Sequence, residues 1–390
     1  MKILHVTDCY LPRLGGIEMH VSDLAARQRA AGHDVWVLTV TPDGPEMTKT
    51  GGVTVIRLEL GKLAFGSAKA IRQLAQDQGF DVMHAHLSGG SPLAWSALRV
   101  ASTGGRVATM HSVVPAAPAL VRSAMALSGI SWQNVVVTAV SEAAARPLRS
   151  AGRNLSVSVL PNGINPRLWA PTPQVGDDTE FPDTVMTEQV FPDNVFTVVS
   201  VGRFTRRKRL RALVRMLAQL RARLPEGIEL RALLIGDGPQ FGAVRREIGR
   251  YGLDECVELL GVRSREEIRH VLSGSDVYLA PARLESFGIA ALEARCAGLP
   301  VIAMDCSGVG EFITDGAEGF LVPDDAAMVD AALELAIVPA TRQRISEHNS
   351  TTEPAMSWDR VLVRHDEIYE RAMAVNNPQS VGRGIRSVVG

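Results

Sequence analysis

The sequence predicts an α/β protein built from two doubly wound, Rossmann-like domains, and three observations carry that expectation. Short β-branched runs alternate with amphipathic helical stretches in both halves, the pattern of βαβ units in parallel sheets. The rhythm breaks at one acidic, proline-bearing segment and then restarts. A chain of 390 residues also exceeds one ordinary core and suits two domains of about 150 to 200 residues each.

In the first half, strands are expected at Lys2–Val6, Asp34–Thr39, Val53–Arg57, Val82–His86, Arg106–Met110, Val135–Ala139 and Ser156–Leu160, seven strands of one sheet. After the first strand, Gly15-Gly16 leads into a helix over Ile17–Ala31 that Gly32 stops. Residues 1–168 are expected to make the amino-terminal domain. Between Ala170 and Val195 the chain carries six carboxylates (Asp177, Asp178, Glu180, Asp183, Glu188, Asp193), four prolines and no Lys or Arg. That composition predicts an exposed linker with an acidic insertion over 169–195. The second domain, 196–356, has strands at Val195–Val201, Glu229–Ile235, Val257–Leu260, Val277–Ala280, Val301–Ala303 and Gly319–Leu321. Trp358, Val361, Leu362, His365, Ile368, Tyr369 and Met373 then recur at helical spacing, so a closing helix is expected over 357–374. The tail, 375–390, has Arg383 and Arg386 but no apolar period, and disorder is its default reading, with a lipid-contacting tail as the alternative.

A hydrophobic fraction of 46%, a charged fraction of 21% and a formal net charge of -1 describe a globular enzyme with no global field to recruit nucleic acid. Cys9, Cys256, Cys296 and Cys306 form no CxxC pair and read as reduced core thiols. The chain enters its first strand without a secretory leader, and no run approaches a membrane span, so a cytoplasmic location is expected, with contact to the inner face of the cell membrane as a further option.

Several motifs bear chemistry. Gly15-Gly16 at a strand-to-helix turn lets backbone N–H groups approach an anion, though a tight turn without ligand explains two glycines as well, and the full GxGxxG pattern of nicotinamide enzymes is absent. Arg203 and Lys208 follow the first strand of the second domain, where a guanidinium fork and an ammonium suit a diphosphate. Their neighbours Arg206, Arg207, Arg209 and Arg211 read as helix-face charge that could also meet an anionic lipid. Gly236-Asp237-Gly238-Pro239 makes a turn that either abuts a ligand or is merely a turn. Asp237 has no second Asp two residues away, so no metal–diphosphate clamp is expected.

The segment Glu285-Ser286-Phe287-Gly288-Ile289-Ala290-Ala291-Leu292-Glu293 is the most informative. With a helix starting near Gly288, Glu285 stands in the loop ahead and Glu293 in the first turns. The free N–H groups of Gly288 and Ile289 suit a leaving phosphate, and the carboxylates suit vicinal hydroxyls. Glu293 could instead pair with a neighbouring Arg, but a carboxylate in an Ala/Leu/Ile stretch needs partners. His111 closes a predicted strand, at the sheet edge where α/β proteins bind ligands; a satisfied core histidine is the bland alternative. His84 and His86 have metal-like spacing on one strand but no third ligand, and read as structural or acceptor-side.

These residues, with Asp81-Val82-Met83-His84-Ala85-His86, Val140-Ser141-Glu142 and Pro161-Asn162-Gly163-Ile164, resemble glycosyltransferase family 4 over nearly the whole chain. The resemblance implies the GT-B fold, two Rossmann-like domains facing across a cleft with a C-terminal helix crossing back to the N-terminal domain. It implies a retaining transfer from a nucleotide-sugar donor to a glycan or lipid-linked acceptor, by front-face displacement, with no metal or other cofactor. Glu293 would hold the ribose hydroxyls, Glu285 the transferred sugar, Arg203 and Lys208 the diphosphate, and His111 would lie near the donor sugar. Gly15, Gly16, Gly236, Phe287, Gly288 and Ile289 complete the donor-binding set. GDP-mannose and UDP-hexoses all fit, and the reading leans to mannose. The alternatives are a nucleotide-sugar epimerase on a similar frame and a non-catalytic nucleotide-sugar-binding relative. The apolar stretch Pro115–Trp132, with Leu120, Val121, Met125, Ala126 and Leu127, is either a docking surface for a lipid-linked acceptor at a membrane or a buried helix.

Overall fold

The computed structural model describes residues 1–13, 15–42, 44, 46–58, 67–100, 104–114, 116–152, 155–171 and 194–376. The chain divides into two compact units, one of Met1–Gly163 with the residues from Trp358 onward, the other of Ile164–Ser357.

The strands of the first unit are β1 (Lys2–Thr7), β2 (Asp34–Thr39), β3 (Met47–Thr50), β4 (Val53–Arg57), β5 (Val82–Leu87), β6 (Gly105–Met110), β7 (Val136–Ala139) and β8 (Val157–Val159). They form one sheet in the order β3-β4-β2-β1-β5-β6-β7-β8, parallel except where β3 meets β4. Every residue of β5 is buried, as a parallel strand covered on both faces requires. Seven strands were expected, and among the described residues the sheet has eight. The addition, β3, is Met-Thr-Lys-Thr on a sheet edge, three of its four residues exposed, so it carries no apolar alternation to read. Its turn does carry a signal. Gly51 and Gly52 have φ of 56° and 83°, the paired positive values of a two-residue hairpin turn.

The second unit holds β9 (Val195–Val201), β10 (Glu229–Ile235), β11 (Val257–Gly261), β12 (Val277–Ala280), β13 (Val301–Met304) and β14 (Gly319–Val322). All are parallel, in the order β11-β10-β9-β12-β13-β14. The helix Leu210–Arg223 buries Leu213, Val214, Leu217 and Leu220 on the side that joins Phe196, Val198 and Leu234 in the core.

The boundary between the units differs from the expected residue 168. The Ile164 amide donates to the Met356 carbonyl at 2.9 Å, Ile164 bridges to Ser357, and Trp169 is buried in the short helix Pro166–Trp169, which packs against the helix Ile289–Cys296. Residues 164–169 are thus part of the second unit. The acidic insertion falls mostly on 172–193, outside the described residues, as do 377–390 of the tail. The closing helix runs Trp358–Asn376, and its Tyr369 and Ala372 pack on Ile3, Val82, Val107 and Val136 of the first sheet. It therefore completes the amino-terminal unit. None of the four cysteines forms a disulfide, but only Cys296 is buried and Cys306 is exposed, so the expectation of four core thiols does not hold.

Candidate active site

In each sheet, chain order reverses once, and a doubly wound sheet binds ligands outside the carboxyl ends of the strands at that switch point. In the second unit, β9 lies between β10 and β12, and the switch falls between β9 and β12. The loops leaving those two strands carry Arg203, Lys208 and Glu285. Lys208 Nζ is 2.5 Å from Glu285 Oε2, so the sequence-predicted cation and carboxylate meet across the switch point. Burial would raise the Glu285 carboxyl. The Lys208 ammonium and the N–H groups of Phe287 and Ser286 outweigh it and hold the group below the usual carboxylate range. Glu285 is therefore an ionised acceptor at neutral pH and is suited to hold hydroxyls.

The loops close on one another through backbone. Gly202 N–H donates to the Ile235 carbonyl and Gly236 N–H to that of Gly261, at 2.9 and 2.7 Å. Gly236, at φ 129°, passes so close to Gly202 that a Cβ there would strike the Gly202 oxygen. The Lys208 side chain runs beside Gly202, its Nζ 3.6 Å from where a Cβ would stand. Asp237 accepts from its neighbour Gly238 at 2.6 Å and is a turn residue. Gly288, at φ 88°, is the N-cap of the helix Ile289–Cys296, and a Cβ on it would lie 2.7 Å from Val309 Cγ2. The helix-opening N–H groups thus stand beside Glu285, with nothing larger than hydrogen on Gly288.

Glu293 lies in that helix, half-buried. Burial pushes the Tyr278 hydroxyl far above its ordinary range, and the charges of both Glu285 and Glu293 add to the effect, so both carboxylates lie within electrostatic reach of that hydroxyl. The Phe287 ring is buried against Phe312 with centroids 5.4 Å apart, so this residue holds the loop in place and faces the site through its backbone. Arg203 is exposed.

Arg209 departs from the expectation of helix-face charge. At φ 55°, its Nη2 donates to both Asp325 carboxylate oxygens at 2.8 and 2.9 Å and its Nη1 to the Pro281 carbonyl at 2.9 Å, tying the β9 loop to the end of β12. Arg207 does the same to the Leu284 carbonyl at 3.1 Å. Neither role has a sequence signal beyond the density of arginines.

In the first unit the switch falls between β1 and β5. The helix Gly16–Ala30 starts one residue before the expected Ile17. A Cβ on Gly16 would meet nothing within 4 Å, so packing does not explain that glycine and the approach is open. Gly15 has a neighbour: the Glu18 carboxylate folds back to 2.5 Å from the Cβ position and pairs with Arg13 at 3.0 Å, placing an anion of the chain itself at this helix start. Asp8, leaving β1, accepts from the N–H groups of Leu93 and Ala94 at 3.0 and 3.1 Å and pins the helix Pro92–Val100. His111 follows β6, buried, with its N–H on the Leu87 carbonyl at 2.8 Å. His84 and His86 do gain a third histidine, His5 of β1, contrary to the expectation from spacing along one strand. Parallel pairing of β1 with β5 makes that neighbour, and sequence distance hid it.

The profile described as Glycosyltransferase Family 4 matches residues 14–168 and that of Glycosyl transferases group 1 matches 183–351. The phosphatidyl-myo-inositol mannosyltransferase of Mycolicibacterium smegmatis is 30% identical over 82% of this chain and 80% of its own. The chain belongs to glycosyltransferase family 4. A phosphatidylinositol N-acetylglucosaminyltransferase polypeptide of Arabidopsis thaliana is 25% identical over 99% of this chain and 85% of its own. Among solved structures, Anabaena HepE in complex with UDP and glucose aligns at a TM-score of 0.70 with 21% identity, covering 95% of this chain and 99% of that one. Sucrose-phosphate synthase from Thermosynechococcus elongatus aligns at 0.74, also at 21%, covering 96% and 100%. This family 4 member is a glycosyltransferase of GT-B fold.

Proposed function

We propose that this glycosyltransferase moves a mannosyl group from GDP-mannose to an inositol phospholipid at a membrane surface, with retention and without a metal. The observation that carries the reading is the Lys208–Glu285 pair at the switch point, beside the helix start at Gly288. Arg203, Lys208 and the amides of Gly288 and Ile289 supply positive charge where a diphosphate leaves. Glu285 accepts from hydroxyls of the transferred sugar and Glu293 from the ribose, and His111, in the first unit, is read as a substrate-contacting residue. As the bond from C1 to the phosphate oxygen opens, its electron pair stays on the phosphate. The acceptor hydroxyl forms the new bond on the same face, and its proton passes to the departing phosphate oxygen.

The lipid acceptor draws support from the names of the mycobacterial and Arabidopsis relatives. It also draws on the helix Pro118–Leu127, where Val121 is the one buried residue while Leu120 and Leu127 are 66% and 86% exposed. That exposure suits an interfacial helix and does not fit the buried alternative. No helix among the described residues is long and apolar enough to cross a membrane. N-acetylglucosaminyl transfer to the same lipid is the second reading, favoured by the Arabidopsis relative.

The test is transfer from GDP-mannose or UDP-N-acetylglucosamine to phosphatidylinositol vesicles in EDTA, with the product anomer read by NMR. The expected result is an α-mannosyl product and a loss of about 100-fold or more in kcat/KM for Lys208→Ala. Inverted product, or turnover only with added Mg²⁺, would overturn the mechanism, and transfer from the UDP sugar alone would establish the second reading.

A further inference from the structure

Six histidines, His5, His20, His84, His86, His111 and His365, are buried in the first unit. Four of them lie on one line of seven hydrogen bonds. His111 Nε2 is 2.9 Å from His86 Nδ1, His86 Nε2 is 3.0 Å from His5 Nδ1, and His5 Nε2 is 2.7 Å from Gln28 Oε1. From Gln28 Nε2 the line runs on to the Tyr369 hydroxyl at 3.0 Å and His84 Nδ1 at 2.9 Å. It ends through His84 Nε2 on Thr109 at 2.6 Å and from Thr109 on Thr138 at 2.6 Å.

The chemistry of Gln28 gives this line a direction. An amide oxygen only accepts, so the proton of His5 is on Nε2. Burial holds His5 and His111 down to about 4 and about 3, and His84 and His86 well below their ordinary value, so each ring is neutral with one proton. His5 Nδ1 must then accept, His86 Nε2 must donate, His86 Nδ1 must accept and His111 Nε2 must donate. On the other side Gln28 Nε2 donates to Tyr369, Tyr369 to His84, His84 to Thr109 and Thr109 to Thr138. Turning the one amide over would reverse every donor in the line.

We propose that Gln28 is a positioning residue which, through His5 and His86, holds His111 as its Nε2–H tautomer, so that Nδ1 offers a lone pair to a substrate hydroxyl. This rests on the reading of His111 as a substrate-contacting residue. A second observation points to the same place: the ring of His20, 5.5 Å from that of His111, has a buried Nδ1 with no hydrogen-bond partner among the described residues. A polar group is wanted there. His5, His84 and His86 also bring nitrogens within 4.8 Å of one another, as a metal triad would. Both nitrogens of each are already engaged in the line, and none of its members is a carboxylate that would offset a divalent charge.

The experiment is long-range ¹H–¹⁵N correlation on the full-length, ¹⁵N-histidine-labelled protein at pH 7.5, which reports the protonated nitrogen of each ring. His111, His86, His5 and His84 should all carry the proton on Nε2. Gln28→Met should leave His111 in mixed tautomers and lower kcat about tenfold. Gln28→Glu, whose carboxylate also only accepts, should keep His111 as Nε2–H, restore most of kcat and turn His84 over to Nδ1–H. A wild-type His111 protonated on Nδ1, or a tautomer unmoved in Gln28→Met, would overturn the proposal. So would stoichiometric binding of added Zn²⁺ that shifts His5, His84 and His86 together. Should Gln28→Met fail to fold, the opposite responses of His111 and His84 in Gln28→Glu decide. The spectra need neither donor nor acceptor, so a protein inactive toward every sugar nucleotide would count against the transfer reading and leave the tautomer result standing.

Discussion

At Gly236, φ is 129° and an added Cβ would run into the carbonyl oxygen of Gly202, which is backbone and cannot step aside. Gly236→Ala should therefore lower the stability of the second unit by about 2 to 4 kcal/mol, from conformational strain and overpacking together. Gly16→Ala is the contrast, since a Cβ there meets open space; chemical denaturation should show it within about 0.5 kcal/mol of the parent or slightly stabilised. A comparable loss at both positions would mean that Gly16 has a packing role after all. Both glycines stood out in the sequence as turn formers, and nothing in the sequence separated a glycine forced by neighbouring backbone from one that leaves room. The Glu285–Glu293 spacing was legible because a helix start near Gly288 leaves Glu285 in the loop ahead and Glu293 in the first turns. The partners Gln28, Tyr278 and Glu18 were not, because hydrogen bonds across strands and back to a helix start leave no periodic trace.

Strand ends matched expectation to within one residue wherever a β-branched run met a Gly, Pro or Asn turn, as at Val195–Val201 and Val277–Ala280. They were legible because buried parallel strands read as unbroken apolar runs. The polar edge strand β3 was lost for the opposite reason. The closing helix was legible from Trp358, Val361, His365 and Tyr369 at helical spacing, and these are the residues it buries. Its removal tests the element. A chain ending at Ser357 bares Ile3, Val82, Val107 and Val136 and loses the burial of Trp358, Val361 and Tyr369. At about 1.5 to 3 kcal/mol for each large side chain, that loss rivals the stability of a domain. Limited proteolysis should then digest residues 1–163 while a fragment near 164–357 resists, and an equally protected first unit would refute the assignment of this helix.

Across the molecule, titration distinguishes the two units. Each buried histidine of the first has a folded-state value below the 6.5 of the unfolded chain, about 4 for His5 and His365 and about 3 for His111. Below pH 6.5 the unfolded chain gains protons that the folded unit cannot take, so stability is complete above that value and falls as pH drops toward 4 and then 3. The loss is about 1.4 kcal/mol per pH unit for each ring. Calorimetry between pH 7.5 and 5 should show the first unit's melting temperature falling steeply, with uptake of several protons on unfolding, and the second unit's changing little. A transition for the first unit that is flat with pH would show that the cluster is not held neutral.

The helix Trp358–Asn376 completes the first sheet, and this inverts the order in which the two units can be finished on the ribosome. Residues 164–357 hold every strand of the second sheet and leave the exit tunnel before Trp358 does. The carboxyl-terminal half can thus reach its final state while the amino-terminal half, made first, still waits with an apolar face uncovered. Chaperone demand during synthesis should accordingly fall on the first of the two units to emerge.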